Sequence, residues 1–269
     1  MTKLRWDQIG TRFYETGIDR GVLYLEDGTV VPWNGITGVE EDLGNDGSTP
    51  YYIDGVKYLD SQNTGDYVST LRAFTYPPEF EEYQGSLSLL EGFMASGQPM
   101  KSFGLSYRTL IGNDINGTNL GYKIHLLYNL VAVQDIPAYQ SLNDQPQALE
   151  FSWRLMAVPE MVEGYRPTAH VIIDSRYINK YLLRDLENIL YGSDTIDPSL
   201  TSLDDLVKYI QDWDIVEVVD NGDGTWTATG PSELVFYLDD TTFQINGIPV
   251  TWLASDTYKI ETTIEEDGG

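Results

Sequence analysis

The stretch Ala148 to Pro159, ALEFSWRLMAVP, constrains the fold more than any other. Leu149, Phe151, Trp153, Leu155 and Ala157 fall on one side of a period-two repeat; Glu150, Ser152, Arg154 and Met156 fall on the other. Large apolar groups on one face and mostly polar ones on the opposite face describe a half-buried antiparallel strand. Such a strand needs paired neighbours and a second layer to cover its apolar face. Several other segments share the pattern, so the expected class is mainly β.

Taken in order, residues 1 to 21 mix aromatics and charges without a period and read as an arm that needs a partner surface. Lys3, Arg5, Trp6, Arg12, Tyr14 and Arg20 are its candidate inter-subunit contacts. Gly21 to Asp27 reads as a strand, Asp27-Gly28 as a tight hairpin turn, and Thr29 to Val39 as the return strand. Glu40 to Pro50, EEDLGNDGSTP, reads as an exposed acidic loop. Tyr51 to Asp60 and Tyr67 to Tyr76 are further strands, the second stopped by Pro77-Pro78. Glu79 to Gly97 fits a short helix or a strand through Leu87, Leu89, Leu90 and Phe93. Phe103 to Ile111 alternates. Gly112 to Gly121 is a polar hairpin loop with an Asn-Gly turn. Gly121 to Val133 returns with Tyr122, Ile124, Leu126, Tyr128 and Leu130 on one face. Thr168 to Asp174 is another strand.

Ile178, Leu182, Leu186 and Ile189 then recur at helical spacing, with Asp174 or Ser175 as N-cap and Gly192 just past the end. Ser202-Leu203-Asp204-Asp205 resembles a capping box opening a second helix. From Trp213 the chain is β again, as short strands at 215–219, 225–229, 234–238, 242–245, 249–253 and 258–262. The expected division is a domain over 1–212, a small C-terminal β-sandwich over 213–264 that leans on the first, and a loose tail over 265–269.

Charge narrows function. Sixteen Lys+Arg stand against 42 Asp+Glu, a formal net charge of -26. Nucleic acid is held mainly by cationic contacts to phosphate, so a chain this acidic is a poor binder of it, and anionic membranes should repel it. From Gly192 onward there are 17 acidic and 2 basic residues, leaving -15 there and -11 before it. That asymmetry points to an outward-facing C-terminal part. Cys is absent, which excludes disulfides and thiolate metal sites. No apolar run near the N-terminus reads as a signal peptide, and no run of about eighteen apolar residues reads as a membrane span, so no membrane insertion is expected.

No residue cluster reads as catalytic. His125 and His170 both fall on expected strands, where strand packing or surface exposure explains them; a zinc site needs three or four convergent ligands, and no metal or other cofactor is expected. Neither His sits in a triad motif. Glu81-Glu82, Asp204-Asp205 and Asp239-Asp240 are adjacent acids in a chain full of them and read as solvated surface. Asp220 to Gly224 lacks the acids of a calcium loop and reads as a hairpin turn. Asn116-Gly117-Thr118 is more simply that turn than a glycosylation acceptor.

Six segments, in order, resemble the major tail protein, or tail tube protein, of long-tailed non-contractile bacteriophages of the kind found in actinobacterial phages. They are KLRWDQIGTRFYETGIDRGVLY from Lys3, FGLSYRTLIGND from Phe103, GYKIHLLYNLVA from Gly121, FSWR from Phe151, LENILYG from Leu186 and GDGTWTATGP from Gly222. The resemblance implies a tail-tube β-sandwich or barrel with a flanking helix (α+β), and a structural role without catalysis. Homohexamer rings would stack into a hollow tube that conducts DNA without binding it specifically. It implies a tape measure protein and other tail proteins as assembly partners, assembly in the host cytoplasm and a final place in the virion tail. It also implies that a long early loop bridges rings. Glu40, Glu41, Asp42, Asn45 and Asp46 are the candidates, with Gly112 to Gly121 as a competitor. Acidity agrees with the role, because a bore without cations gives phosphate nothing to grip.

Two rivals remain. The C-terminal module could hold a host-surface glycan through Trp226, Tyr237 and Trp252. An enzyme acting on cell-wall sugar would need a carboxylate pair in a cleft, which the sequence does not locate.

Overall fold

The computed structural model describes residues 4–42, 48–62, 67–137, 139, 148–162, 164–213, 215–220, 226–229, 236–238, 243–245, 248–254 and 257–260. At 48–49, 59–62 and from 215 onward the description is of the backbone alone. Contacts divide the chain into two compact units. The first is 1–176 with 198–200; the second is 177–197 with 201–269. The helices therefore group with the C-terminal strands, and the expected boundary at 212/213 falls inside the second unit. The fold is mainly β with two helices and a large antiparallel sheet, as expected.

The first unit is built on eight strands: β1 (Tyr14–Leu25), β2 (Val30–Pro32), β3 (Ile36–Asp42), β6 (Val68–Ala73), β9 (Phe103–Asn113), β10 (Gly117–Gln134), β11 (Phe151–Ala157) and β12 (His170–Asp174). Their order is β2-β1-β9-β10-β11-β6-β3, with β12 paired to β10 off that path. The sheet curls so that β3, at one end, comes close to β1 near the other. Trp33 N–H donates to the Gly21 carbonyl across this approach (2.7 Å). A side chain at Gly21 would meet the Ile36 Cδ1 at 2.4 Å.

The core fills the inside of the curl. Trp153 on β11 alternates inward with Leu155 and Ala157, as the sequence pattern requires. Trp33, Tyr76 and Phe80 meet its ring edge-on, and Phe103 packs edge-on against Phe80 in turn. Edge-to-face packing brings the positive ring edge to the negative face. The Trp153 indole N–H donates to Gln84 Oε1 and the Trp33 N–H to the Thr75 carbonyl, so neither buried donor is left unpaired.

Several expected boundaries move. Thr29 to Val39 is broken at Trp33–Gly35, where Gly35 takes φ 84°, into β2 and β3. Glu40, Glu41 and Asp42 are not loop; they end β3, paired with Thr70, Ser69 and Val68 of β6. Tyr51 to Asp60 is not one strand but part of a hairpin, β4 (Ser48–Ile53) and β5 (Val56–Gln62), turning at Asp54-Gly55, both at positive φ. The ambiguous stretch is a second hairpin, β7 (Ser86–Leu90) and β8 (Phe93–Ser96). The Gly112 to Gly121 loop shrinks to the turn between Asn113 and Gly117.

β10 departs most usefully from its simple pattern. Asn129 sits at φ 50°, and the register with β9 shifts between Leu127 and Leu130. This bulge switches which side chains face inward. Leu127, Leu130 and Ala132 join the core, whereas Ile124, Leu126 and Tyr128 are buried on the other face. The face expected to run unbroken from Tyr122 to Leu130 is thus split, and Lys123 and His125 lie on Leu127's side.

In the second unit, α1 (Lys180–Tyr191) is capped by Asn179, whose side chain accepts from Tyr181 N–H, not by Asp174 or Ser175. Gly192 at φ 84° ends it, and Ser202 caps α2 (Leu203–Asp212), both as expected. The Trp213 indole N–H donates to Asp185 of α1 at 3.0 Å. Six strands follow: β13 (Ile215–Asp220), β14 (Trp226–Thr229), β15 (Phe236–Leu238), β16 (Phe243–Ile245), β17 (Ile248–Ala254) and β18 (Thr257–Ile260). They pair antiparallel in the order β14-β13-β18-β17-β16-β15. Among the described residues, no helix is long and apolar enough to cross a membrane.

Candidate functional site

Two features of the first unit stand out: a buried polar cluster inside the curled sheet, and apolar side chains left outside it.

The cluster forms because strand alternation aims polar residues inward from four strands. On β3 a bulge between Ile36 and Gly38 sets the parity so that Val39 packs on the core. Glu41, two residues on, then faces inward too, while Glu40 and Asp42 face solvent. Tyr107 on β9 lies directly opposite His125 on β10, and the two rings stack at 4.6 Å and 9°. His170 on β12 pairs with Leu127, diagonally next to His125 on the same face.

Three atoms converge. His125 Nδ1 and His170 Nε2 are 3.1 Å apart, and Glu41 Oε1 is 3.5 Å from each. Tyr107 donates its hydroxyl proton to the same carboxylate oxygen. Thr109 donates its single hydroxyl proton to Glu15 (2.6 Å), so it can only accept from His125 Nε2, 3.1 Å away. That fixes the tautomer: Nε2 carries the proton and the Nδ1 lone pair points into the cluster. Lys123 bonds the other oxygen of Glu15 at 2.6 Å. An open cleft of about 440 Å³, lined by Gly17, Ile18 and Thr37 to Val39, reaches Glu41, Tyr107, Thr109 and His125.

The electrostatics follow from the packing. Burial alone would raise the Glu41 pKa. The neighbouring His125, Tyr107 and His170 outweigh it and hold the carboxyl down at about 2. Burial lowers the His170 pKa, against the pull of Glu41. Burial raises the Tyr67 and Tyr107 phenols, with Glu41 adding to both. The Tyr67 ring lies 5.3 Å from that of His170, and its buried hydroxyl has no hydrogen-bond partner among the described residues. Glu41, His125 and His170 are the residues that could hold a metal ion among those described. The local pattern leaves both histidines to strand packing or surface exposure; the Asn129 bulge and the curl that bring them together are not visible in local periodicity.

Outside the curl, apolar groups face solvent on the two hairpins and the N-terminal segment. Tyr51, Tyr52, Ile53, Val56 and Tyr58 are exposed on β4–β5, and Leu89, Leu90 and Phe93 on β7–β8. Leu4, Trp6, Ile9 and Phe13 are exposed before β1.

The candidate contact residues are placed as follows. Arg5, Trp6 and Arg12 lie in the segment before β1; Tyr14 opens β1, and Arg20 lies within it at φ 48°. Arg12 turns back on the Asp7 carbonyl, and Gly10 N–H donates to Asp114, tying the segment to the β9–β10 turn. The expected arm is therefore half strand. Lys3, Asn45 and Asp46 lie outside the described residues. Glu40 and Asp42 sit at the exposed end of β3, and Glu41 in the cluster. Trp226, Tyr237 and Trp252 lie on β14, β15 and β17, no two of which pair. A cleft of about 600 Å³ is lined by Glu26, Asp27, Glu79, Glu81 and Glu82. Asp27 there accepts the Thr29 backbone N–H, which lowers its pKa, the reverse of what a general acid needs.

No protein-family model matches the chain, and no curated protein matches it. Among solved structures, it is similar to the sheath/tube terminator of an extracellular contractile injection system, PVC, in the extended state. Identity there is 12% and the TM-score 0.32, over 64% of this chain and 99% of that one. It is also similar to the tube-terminating cap of the anti-feeding prophage, at 13% identity and a TM-score of 0.33, over 65% and 97%.

Proposed function

We propose that the chain is a structural subunit of a phage tail tube, without catalysis. Homohexameric rings stack into a hollow tube, and DNA passes through the lumen without specific binding. The subunit meets a tape measure protein and other tail proteins as it assembles in the host cytoplasm, and it ends in the virion tail. The C-terminal β module over 213–264 is carried on the tube's outside as an accessory domain.

The observation that carries the reading is the exposed apolar surface of the β4–β5 hairpin. Tyr52 and Val56 are 63% and 70% exposed, beside Tyr51, Ile53 and Tyr58. A chain of net charge -26 has ample polar groups for its surface. A hairpin bearing this many solvent-facing apolar side chains is what a buried inter-subunit contact looks like in the isolated subunit. The hairpin follows the acidic segment that the family resemblance marks as the bridge between rings. Ring stacking is therefore assigned to Glu40, Asp42 and the chain onward to the tip at Asp54-Gly55, whereas Glu41 turns into the cluster. The segment around Arg5, Trp6 and Arg12 is assigned to a neighbouring subunit. Order in the curled sheet favours the same reading: β2 and β3 end the strand path, and a neighbour's strand would cover such an edge.

Negative-stain microscopy of the concentrated protein tests this. Rings or tubes are expected from the native chain, and Tyr52→Lys with Val56→Lys should leave single rings or monomers. Monomers from the native chain at high concentration, or tubes from the double variant, would overturn the assignment.

A further inference from the structure

We propose that Glu41, His125 and His170 form a binding site for a divalent transition-metal ion, zinc foremost, with Oε1, Nδ1 and Nε2 as its ligands. Zinc bonds imidazole nitrogen and carboxylate oxygen at about 2.0–2.2 Å in a tetrahedron, which places any two ligands about 3.3 Å apart. The three separations here are 3.1, 3.5 and 3.5 Å. The triangle is thus one face of such a tetrahedron, with the ion just off its plane. Two imidazoles and one carboxylate suit zinc, whereas magnesium and calcium take oxygen ligands.

The surroundings support the ligands in the way metal sites require. His125 is oriented by its Nε2–H on Thr109, which is itself held by Glu15, and Glu15 by Lys123. Such a chain fixes the tautomer that offers Nδ1 to a metal. Tyr107 also holds the ligand oxygen, Glu41 Oε1, through its hydroxyl. Without a metal, the facing nitrogens at 3.1 Å need a proton between them, and His170 Nε2–H supplies it. Zinc takes that proton's place, and the proton moves to Nδ1 of His170, so the exchange balances in charge on the ring. The fourth vertex belongs to a water entering by the 440 Å³ cleft. Bound there, the ion would clip the end of β3 to β10, in the middle of the strand order, and to its neighbour β12.

The test uses the full chain. Protein is equilibrated with zinc chloride, freed of loose metal on a chelating column and assayed for zinc by elemental analysis. Cobalt(II) loading reads the geometry by visible absorption. About one zinc per chain is expected, with intense four-coordinate cobalt bands. Zinc at about 100 times its dissociation constant should raise the Tm by roughly 5–10 °C. Glu41→Gln and His170→Gln should each weaken zinc binding by about 100-fold or more, and Thr109→Val by about 10- to 100-fold. Glu40→Gln, one residue away and facing solvent, should bind as the native chain does. Three results would each overturn the proposal: no retained zinc in the native chain, weak six-coordinate cobalt spectra, or equal retention by His170→Gln and the native chain. The last would mean loose binding to surface carboxylates. Because the cobalt spectrum is read on the native chain, a variant that fails to fold does not spare the proposal.

Discussion

Arg108 and Asp19 show how a half-exposed ion pair is tied to this fold. Arg108 on β9 donates from Nε and Nη2 to both oxygens of Asp19 on β1, each at 2.8 Å. The guanidinium also lies over the Tyr122 ring, 4.4 Å from its centre. The paired donors on Arg108 hold the Asp19 pKa below its ordinary 3.8, against the opposing effect of burial. A carboxyl whose folded pKa is depressed contributes stability above its unfolded pKa and loses it as pH falls through the folded value. The contribution of this pair is therefore complete above about pH 4 and fades below 3.8. Asp19 is 39% exposed, so the amount is under about 1 kcal/mol. Urea titrations of Asp19→Asn and the native chain at pH 6 and pH 3 should differ by that amount at the higher pH and converge at the lower. A gap that widened on acidification would contradict the pairing. The pair could not be found from sequence, because a bulge in β1 between Thr16 and Asp19 sets which residues meet.

At the scale of elements, turn chemistry and alternation were legible wherever no bulge intervened. Asp27-Gly28 closes β1 and β2 as its dipeptide requires, with Thr29 N–H on Asp27 Oδ1. The same dipeptide at Asp54-Gly55 closes β4 and β5, but apolar residues on both sides of it make 51–60 look like one continuous strand in the local pattern. On β11 the inward side chains are the alternate ones. On β10 they are not, because Asn129 inserts a step that no local pattern marks. The β9–β10 hairpin makes its own demand. A Cβ at Gly112 would come within 2.2 Å of the Gly117 carbonyl oxygen and 2.6 Å of the Tyr14 ring. Backbone cannot yield as a flexible side chain can. Gly112→Ala should cost about 1–3 kcal/mol in a chemical denaturation experiment. Gly55→Ala at the β4–β5 tip meets no atom and strains only its own φ of 77°. Equal losses at the two positions would show that backbone freedom, not the close approach, keeps Gly112.

For the whole molecule, the division at 176/177 changes what a truncation should do. Helices α1 and α2 group with the C-terminal strands, and Trp213 is buried and bonded to Asp185. A cut after Asp212 therefore strips the helices of a core residue. A chain ending at Leu200 keeps all eight strands and the short segment 198–200 that belongs with them. Leu200 lies against Gly104, where an added Cβ would meet its Cδ2 at 2.4 Å. That shorter chain is expected to keep its β-rich circular dichroism and, by sedimentation, to assemble as the full chain does. Monomers alone from a folded 1–200 chain would place the assembly surface in the second unit.

The sequence by itself determined the β class, the two helices with Ser202 and Gly192 at their ends, the inward set on β11 and the acidic balance. Each is set by near neighbours along the chain, where period, turn chemistry and charge act directly. Only the tertiary structure decided that Glu41 faces inward and that His125 and His170 face each other beside it. Their positions depend on two bulges and on a curl that brings β3 from one end of the sheet against strands in its middle. Those are contacts between residues far apart in the chain, and they are settled by the burial of the whole core, which no stretch of a dozen residues encodes.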